Sequence, residues 1–268
     1  MANSINTNAG ALVALQNLNN TSRDLSITQN RVNTGQKVSS AKDNGAIFAI
    51  ATNQRAEMGA LDAVKQSMQR GQSIVDVALA AGETITKALE EQKSLAVAIE
   101  SSVAGSAAET AYLADFNALG NEITKALGGA TFDGVNLFSV AAADIEVKTG
   151  TAAADKFVLK ATGAATAVAT AGGSILRAGA TAAAVDTALK AFTAELGALG
   201  TKSKSLERSL SFTSKMQDAL EVGVGNLVDA DLAKESAKLT ALQTKQQLGV
   251  QALSIANQSS SVLLGLFR

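Results

Sequence analysis

The chain is predicted to be mainly α: a long antiparallel helical bundle of coiled-coil, rod-like form with a small β-hairpin region. Three observations carry that expectation. The 268 residues contain no Pro, whereas an ordinary chain carries about 5%, and a complete lack of Pro favours long helices that tolerate neither a kink nor a missing donor. Apolar residues recur at three- and four-residue steps over long spans. With eight Phe, one Tyr and no Trp, cores must be built from Ala, Leu, Val and Ile, which suits closely packed helices.

In chain order, Ala11, Leu18, Leu25 and Val32 sit seven residues apart. Asn17, Asn19, Asn20, Thr21 and Ser22 keep that stripe narrow, so the first helix is marginal on its own. A helix-stop follows at Asn33-Thr34-Gly35, because Gly35 can take the left-handed conformation just past the last turn. Asp43 or Asn44 can then cap the next helix.

That helix is expected to be long. Its stripe runs Ile47, Ile50, Met58, Leu61, Val64, Met68, Val75, Leu79, Ile85, Leu89, Leu95, Ile99 and Val103, with gaps at Gln54, Gln72, Gly82 and Gln92. A straight helix over this span reaches ~85 Å at about 1.5 Å per residue, too long to bury itself without antiparallel partners. Two partners are available: a shorter stripe at Leu113, Phe116, Leu119, Ile123 and Leu127, and a long one at Val185, Leu189, Phe192, Leu196, Leu199, Leu206, Leu210, Leu220, Val224 and Leu227. A three-helix bundle follows.

Between the partners, Gly128-Gly129 breaks the helix and Thr131 to Phe138 reads as a turn-rich corner. Asp144 to Thr149 alternates polar and apolar, and Lys156 to Lys160 is a second β-like run, which fits a hairpin. The Ala/Thr/Gly-rich tract from Ala161 to Ala184 has no period and is expected to be an exposed loop with short strand content. The last segment carries two apolar rows, Leu242, Ala256, Leu263 and Leu248, Ile255, Val262. An apolar surface this broad at a chain end calls for partners on more than one side.

Composition narrows the function. Without His or Cys, the commonest general base and the thiolate nucleophile are missing, and no Gly-rich stretch follows a strand and opens a helix. We therefore expect no enzyme activity, no cofactor and no metal. Asp229 and Asp231 could be read as a paired-carboxylate metal site, but two acids alone, with no His or Cys and with Lys234 close behind, argue against it. The net charge of −1 gives no reason to expect nucleic acid as partner. Arg23, Arg31, Lys37 and Lys42 lack interleaved aromatics and read as a solvated face or as charges that pair between subunits. The amino terminus lacks the basic and continuous apolar regions of a secretory signal, and no run is apolar enough to insert in a membrane.

Several motifs in fixed order resemble one family. Ile5-Asn6-Thr7-Asn8 with Ala11-Leu12 and Asn17-Leu18, then Arg31-Val32-Asn33-Thr34-Gly35 and Ala41-Lys42-Asp43-Asn44-Gly45-Ala46, are similar to the opening of bacterial flagellins. Thr131-Phe132-Asp133-Gly134-Val135-Asn136-Leu137 resembles their corner motif, and Asp229-Ala230-Asp231-Leu232-Ala233-Lys234-Glu235 with Gln246-Gln247, Ala256-Asn257 and Leu263-Leu264 resembles their carboxyl-terminal signature. The resemblance spans about residues 1–140 and 185–268 and is to the short, alphaproteobacterial type without large outer domains.

It implies a structural subunit of the flagellar filament used in swimming. Residues 1–42 and 230–268 would form the inner tube, and 43–229 the helical rod domain, with its hairpin and loop region at about 130–184. The partners implied are further copies of the chain, paralogous flagellins, an export chaperone, and cap and junction proteins. The location is extracellular, after export through the flagellar type III channel with no cleaved signal peptide. A hook–filament junction protein, or a secreted coiled-coil adaptor or translocator, shares parts of the pattern. The expected subunit interface is Leu18, Leu25 and Val32 with Leu248, Ile255, Val262, Leu263, Leu266 and Phe267. In the free monomer the two ends are expected to be largely disordered, because the narrow first stripe does not offset an ordering cost of ~1–2 kcal/mol per residue. Many flagellins carry an Arg-rich stretch before a Leu-Ala-Val that an innate immune receptor reads. Aligning Leu95-Ala96-Val97 to it places Glu91 where a key arginine would stand and Lys93 at the next basic position, which implies evasion of Toll-like receptor 5.

Overall fold

The computed structural model describes residues 8–139, 144–160 and 176–265, with side chains through residue 258. The architecture is mainly α. Helices α1 (Ala9–Thr34), α2 (Gly45–Ser101) and α3 (Ala107–Gly129) precede two strand pairs, β1 (Thr131–Phe132) with β2 (Val135–Asn136) and β3 (Ile145–Lys148) with β4 (Lys156–Leu159). Helices α4 (Ala182–Val228) and α5 (Leu232–Gly265) complete the order. The chain divides into two compact units, residues 1–56 with 219–268, and residues 57–218.

The unit spanning 57–218 holds the three-helix bundle. Its core is one contiguous cluster in which Met68, Ile85, Leu89, Phe116, Ile123, Phe192 and Leu199 are fully buried. Helix α4 runs antiparallel to α2. Near its start the Ala182 amide donates to the Glu100 carboxylate (3.0 Å), and 35 residues later Gln217 Nε2 donates to the Met58 carbonyl (3.1 Å) and Asp62 (2.8 Å). Helix α3 folds back on α2 through a tight turn with Gly105 at φ 76. Ser106 caps α3 by accepting from the Glu109 amide (3.1 Å), while Glu109 reaches back to the Gly105 amide (2.5 Å), a reciprocal arrangement close to a capping box. That amide, and then the Arg177 guanidinium at 3.1 Å, hold the Glu109 carboxyl below its ordinary range.

Inward positions differ in detail from the apolar stripe. Ile50 and Val103 are exposed, at 48% and 78%. Ala51, next to Ile50, takes the buried place, and Val103 falls beyond the last residue of α2. Two apparent gaps face inward: Gln92 is wholly buried with Nε2 donating to the Phe116 carbonyl (3.0 Å), and Gly82 is buried beneath Leu196. The stripe misses both because one is polar and the other has no side chain.

The corner and hairpin form as expected. Asp133 (φ 51) and Gly134 (φ 75) are consecutive left-handed residues, the signature of the two-residue turn that joins β1 to β2. Asn136 Nδ2 donates to the Leu127 carbonyl (2.7 Å) and closes the end of α3. The hairpin pairs Ile145 with Leu159 and Lys148 with Lys156, and is pinned to α2 by the Lys148 amide donating to Ser67 Oγ (3.0 Å). Residues 161–175 of the Ala/Thr/Gly-rich tract lie outside the described residues. Its last residues, Ala182–Ala184, are helical rather than loop. Thr181 Oγ1 accepts from the Ala184 amide (3.2 Å), and Glu100 satisfies the Ala182 amide, so α4 starts earlier than the first long apolar residue suggests.

Two stability expectations arise here. A Cβ added at Gly71 would meet Val147 Cγ2 at 2.5 Å, and Val147 is buried and β-branched. Gly71→Ala gains helix propensity of up to ~1 kcal/mol but overpacks the hairpin by about 1–3 kcal/mol, so a net loss is expected. Thermal melting should show a lower Tm; an unchanged or raised Tm would mean that the hairpin moves freely off the helix.

Asp186 is bonded by Lys190 (2.6 Å) and Lys93 (2.5 Å), which hold its carboxyl down at about 2. A depressed carboxylate adds stability that is full above its unfolded value, 3.8, and is lost as pH falls through about 2. Asp186→Asn should therefore lower Tm at neutral pH and flatten the decline in Tm between those two values, with little effect below them. An acid limb identical to that of the parent chain would show that these ion pairs contribute nothing to folding.

Candidate assembly surface

In the unit made of residues 1–56 and 219–268, the two terminal helices pack on each other antiparallel. Local chemistry sets their ends. Asn8 caps α1 through its Oδ1, which accepts from the Ala11 amide (3.0 Å). Gly35, at φ 70, stops it with its amide bonded to the Arg31 carbonyl (2.9 Å). Asn44, not Asp43, caps α2, accepting from the Ile47 amide (3.1 Å). Asp43 instead gathers the amides and hydroxyls of Ser39 and Ser40, which lowers its carboxyl below the ordinary range. Asp231 caps α5, accepting from the Ala233 (3.0 Å) and Lys234 (3.1 Å) amides. No metal-binding cluster exists among the described residues.

The register between the terminal helices is defined along their length. Asn8 Nδ2 donates to the Ala256 carbonyl (2.7 Å), Leu18 lies against Gly249, and Arg31 pairs with Glu235 (3.1 Å). Beyond α1 the extended segment 36–38 joins the α4–α5 junction. The Lys37 and Val38 amides donate to the Val228 carbonyl (2.6 and 3.2 Å), and the Ala230 amide donates to the Gly35 carbonyl (2.9 Å). The arrangement thus fixes both ends of the helical pair.

Sorted by exposure, the sequence-derived interface residues fall into two groups. Leu25 is buried and Leu18 and Val32 are half-buried, on the face of α1 that also carries the fully buried Thr28. Leu242 is buried and Ala256 half-buried on α5. Leu248 and Ile255 are exposed, at 58% and 67%. The two apolar rows of α5 therefore do not form one broad face: a turn of about 100° per residue separates them, one row meets α1 and the other is open. Val262, Leu263, Leu266 and Phe267 lie outside the described side chains.

Further large apolar side chains are exposed on the same pair: Leu12, Val13, Leu15 and Ile27 on α1, and Leu232 and Val250 on α5. The heptad reading missed them because it follows one row. Their signal is an excess of aliphatic side chains off the stripe of a helix otherwise rich in Asn, Ser and Thr. No described helix is long and apolar enough to cross a membrane. Glu91 is exposed on α2 and borders a shallow groove against α3, whereas Lys93 is engaged by Asp186.

Comparison with known proteins agrees with this layout. Residues 5–143 match the family model described as the bacterial flagellin N-terminal helical region, and residues 182–267 match the bacterial flagellin C-terminal helical region. The chain is 53% identical over 280 residues to flagellin FljM of Caulobacter vibrioides and 51% identical over 273 residues to flagellin FljK of the same organism, with 99% of both chains covered in each case. It is 37% identical over 284 residues to the flagellin of Brucella melitensis, again over 99% of each. A pair of terminal helices that bind one another and leave a second apolar row open is suited to repeated self-association, and the chain belongs to the bacterial flagellin family, in its short alphaproteobacterial form, as a structural subunit of the flagellar filament outside the cell.

Proposed function

We propose that the exposed apolar rows of α1 and α5 are the surface through which each copy adds to the filament, and that the paired termini form its inner tube. Residues 43–229 then form the outer layer. The observation that carries this reading is the exposure of Leu248 and Ile255 beside that of Leu12, Val13 and Leu15. At roughly 1.5–3 kcal/mol per fully buried large side chain, a few such residues provide several kcal/mol per added subunit, reduced by ordering and orientation costs. The contacts are head-to-tail and do not close, so growth is open-ended.

The role needs no catalytic centre, cofactor or metal. Assembly with paralogous flagellins is supported by the presence of FljM and FljK, both similar to this chain over 99% of its length, in one organism. The chain is exported through the flagellar channel, accompanied by a chaperone and met by cap and junction proteins. Electron microscopy of the purified chain tests the reading: long tubes are expected, and short caps or no polymer would refute it.

Recognition by Toll-like receptor 5 is expected to be weak, because Glu91 offers an acceptor where an arginine would present five donors. Lys93, already bonded to Asp186, does not replace it. A reporter-cell assay with purified monomer should give little response, and a full response would overturn this assignment.

A further inference from the structure

Helices α3 and α4 carry the same spacing with opposite charge. On α3, Asp115, Leu119 and Glu122 occupy positions i, i+4 and i+7 and line a shallow groove whose other wall on α2 supplies Leu95 and Glu91. The floor is apolar, with Ala118, Leu119 and Leu95, and the three carboxylates on its rim are exposed. On α4, Arg208, Phe212 and Lys215 also occupy i, i+4 and i+7, and so share one helix face. Phe212 is 66% exposed, which is unusual for an aromatic ring in the middle of a long helix. Lys204 continues the same face, and the nearest acids, Glu207 and Asp218, lie to one side of it at about 100° per residue. None of these acids or bases forms an ion pair within its own chain among the described residues.

We propose that the Arg208–Phe212–Lys215 face of one copy seats in the Asp115–Leu119–Glu122 groove of a second copy. In parallel register Arg208 meets Asp115, Phe212 lies on Leu119, and Lys215 meets Glu122. The fold supplies the direction. Both α3 and α4 run opposite to α2, so they run the same way in each copy. Copies added head-to-tail keep that direction, and the two helices meet parallel. The proposal rests on the filament reading and adds to it a contact between outer layers, distinct from the apolar rows of the termini. Desolvated ring and floor supply the attraction, and the two charge pairs set register and exclude a shifted alignment.

Charge exchange in the full-length chain tests it. Arg208→Glu with Lys215→Glu, and separately Asp115→Lys with Glu122→Lys, should each raise the critical concentration for polymerisation by about tenfold or more, since each juxtaposes like charges. The fourfold variant carrying both pairs should return to near the parent value. Circular dichroism melting of each variant monitors folding, and rescue in the fourfold chain also excludes misfolding as the cause. Double variants that assemble like the parent, or a fourfold variant no better than the worse double, would overturn the docking while leaving the filament reading intact. A parent chain that forms no polymer at all would overturn both.

Discussion

Replacing Leu248 and Ile255 together by Asp is expected to abolish polymerisation while leaving the chain folded. Both side chains are more than half exposed in the single chain, so the carboxylates stay hydrated in the monomer. Burying them between copies would desolvate unpaired charges at several kcal/mol each, enough to reverse the association energy expected from this row. Deletion of residues 248–268 should act in the same direction. Leu25→Asp provides the contrast, because Leu25 is 8% exposed on the face of α1 that meets α5. It should disturb the terminal pair itself. Sedimentation and circular dichroism read both outcomes. Filaments of normal yield from the Leu248/Ile255 double variant would remove this row from the interface.

The second large effect lies in the bundle. Phe192 is fully buried and its ring centroid is 5.4 Å from that of Phe138, in a tilted arrangement that brings α4 onto the corner segment. Phe192→Ala should destabilise the 57–218 unit by about 3–5 kcal/mol through lost burial and the cavity left behind. Denaturant unfolding followed by far-ultraviolet circular dichroism should register a clear fall in midpoint. A loss under 1 kcal/mol would mean that the site collapses around the missing ring, against the close packing expected of such a core.

These effects bear on what the amino-acid order reveals. The Gly35 helix stop, a cap at Asp43 or Asn44 and a turn-rich corner were legible because each acts through its own backbone or that of residues within three or four positions. That Asn44 makes the cap and Asp133-Gly134 the turn came from the structure. The long stripes were legible for the same reason: helical period is a local property. Gln92 was not, since its burial depends on a carbonyl at Phe116 on another helix. Likewise Arg177 reaches the Ser102 carbonyl (3.1 Å) and Glu109, contacts separated by about seventy residues that no local pattern announces.

The assembly surface divides in the same way. Both rows of α5 are apolar, so hydrophobicity alone marks them equally. Which one meets α1 is settled by register, through Asn8 with Ala256, Leu18 with Gly249 and Arg31 with Glu235. Resemblance identified the pair; packing separates its inner row from its outer one.

Thiol labelling tests that separation most directly, because the chain contains no Cys and a single introduced residue is therefore a unique probe. Ile255→Cys, examined as monomer and as assembled filament, should react rapidly with a maleimide before assembly and become strongly protected after it. Equal reactivity in the two states would show that the open row of α5 stays in solvent, and that the filament is held together elsewhere.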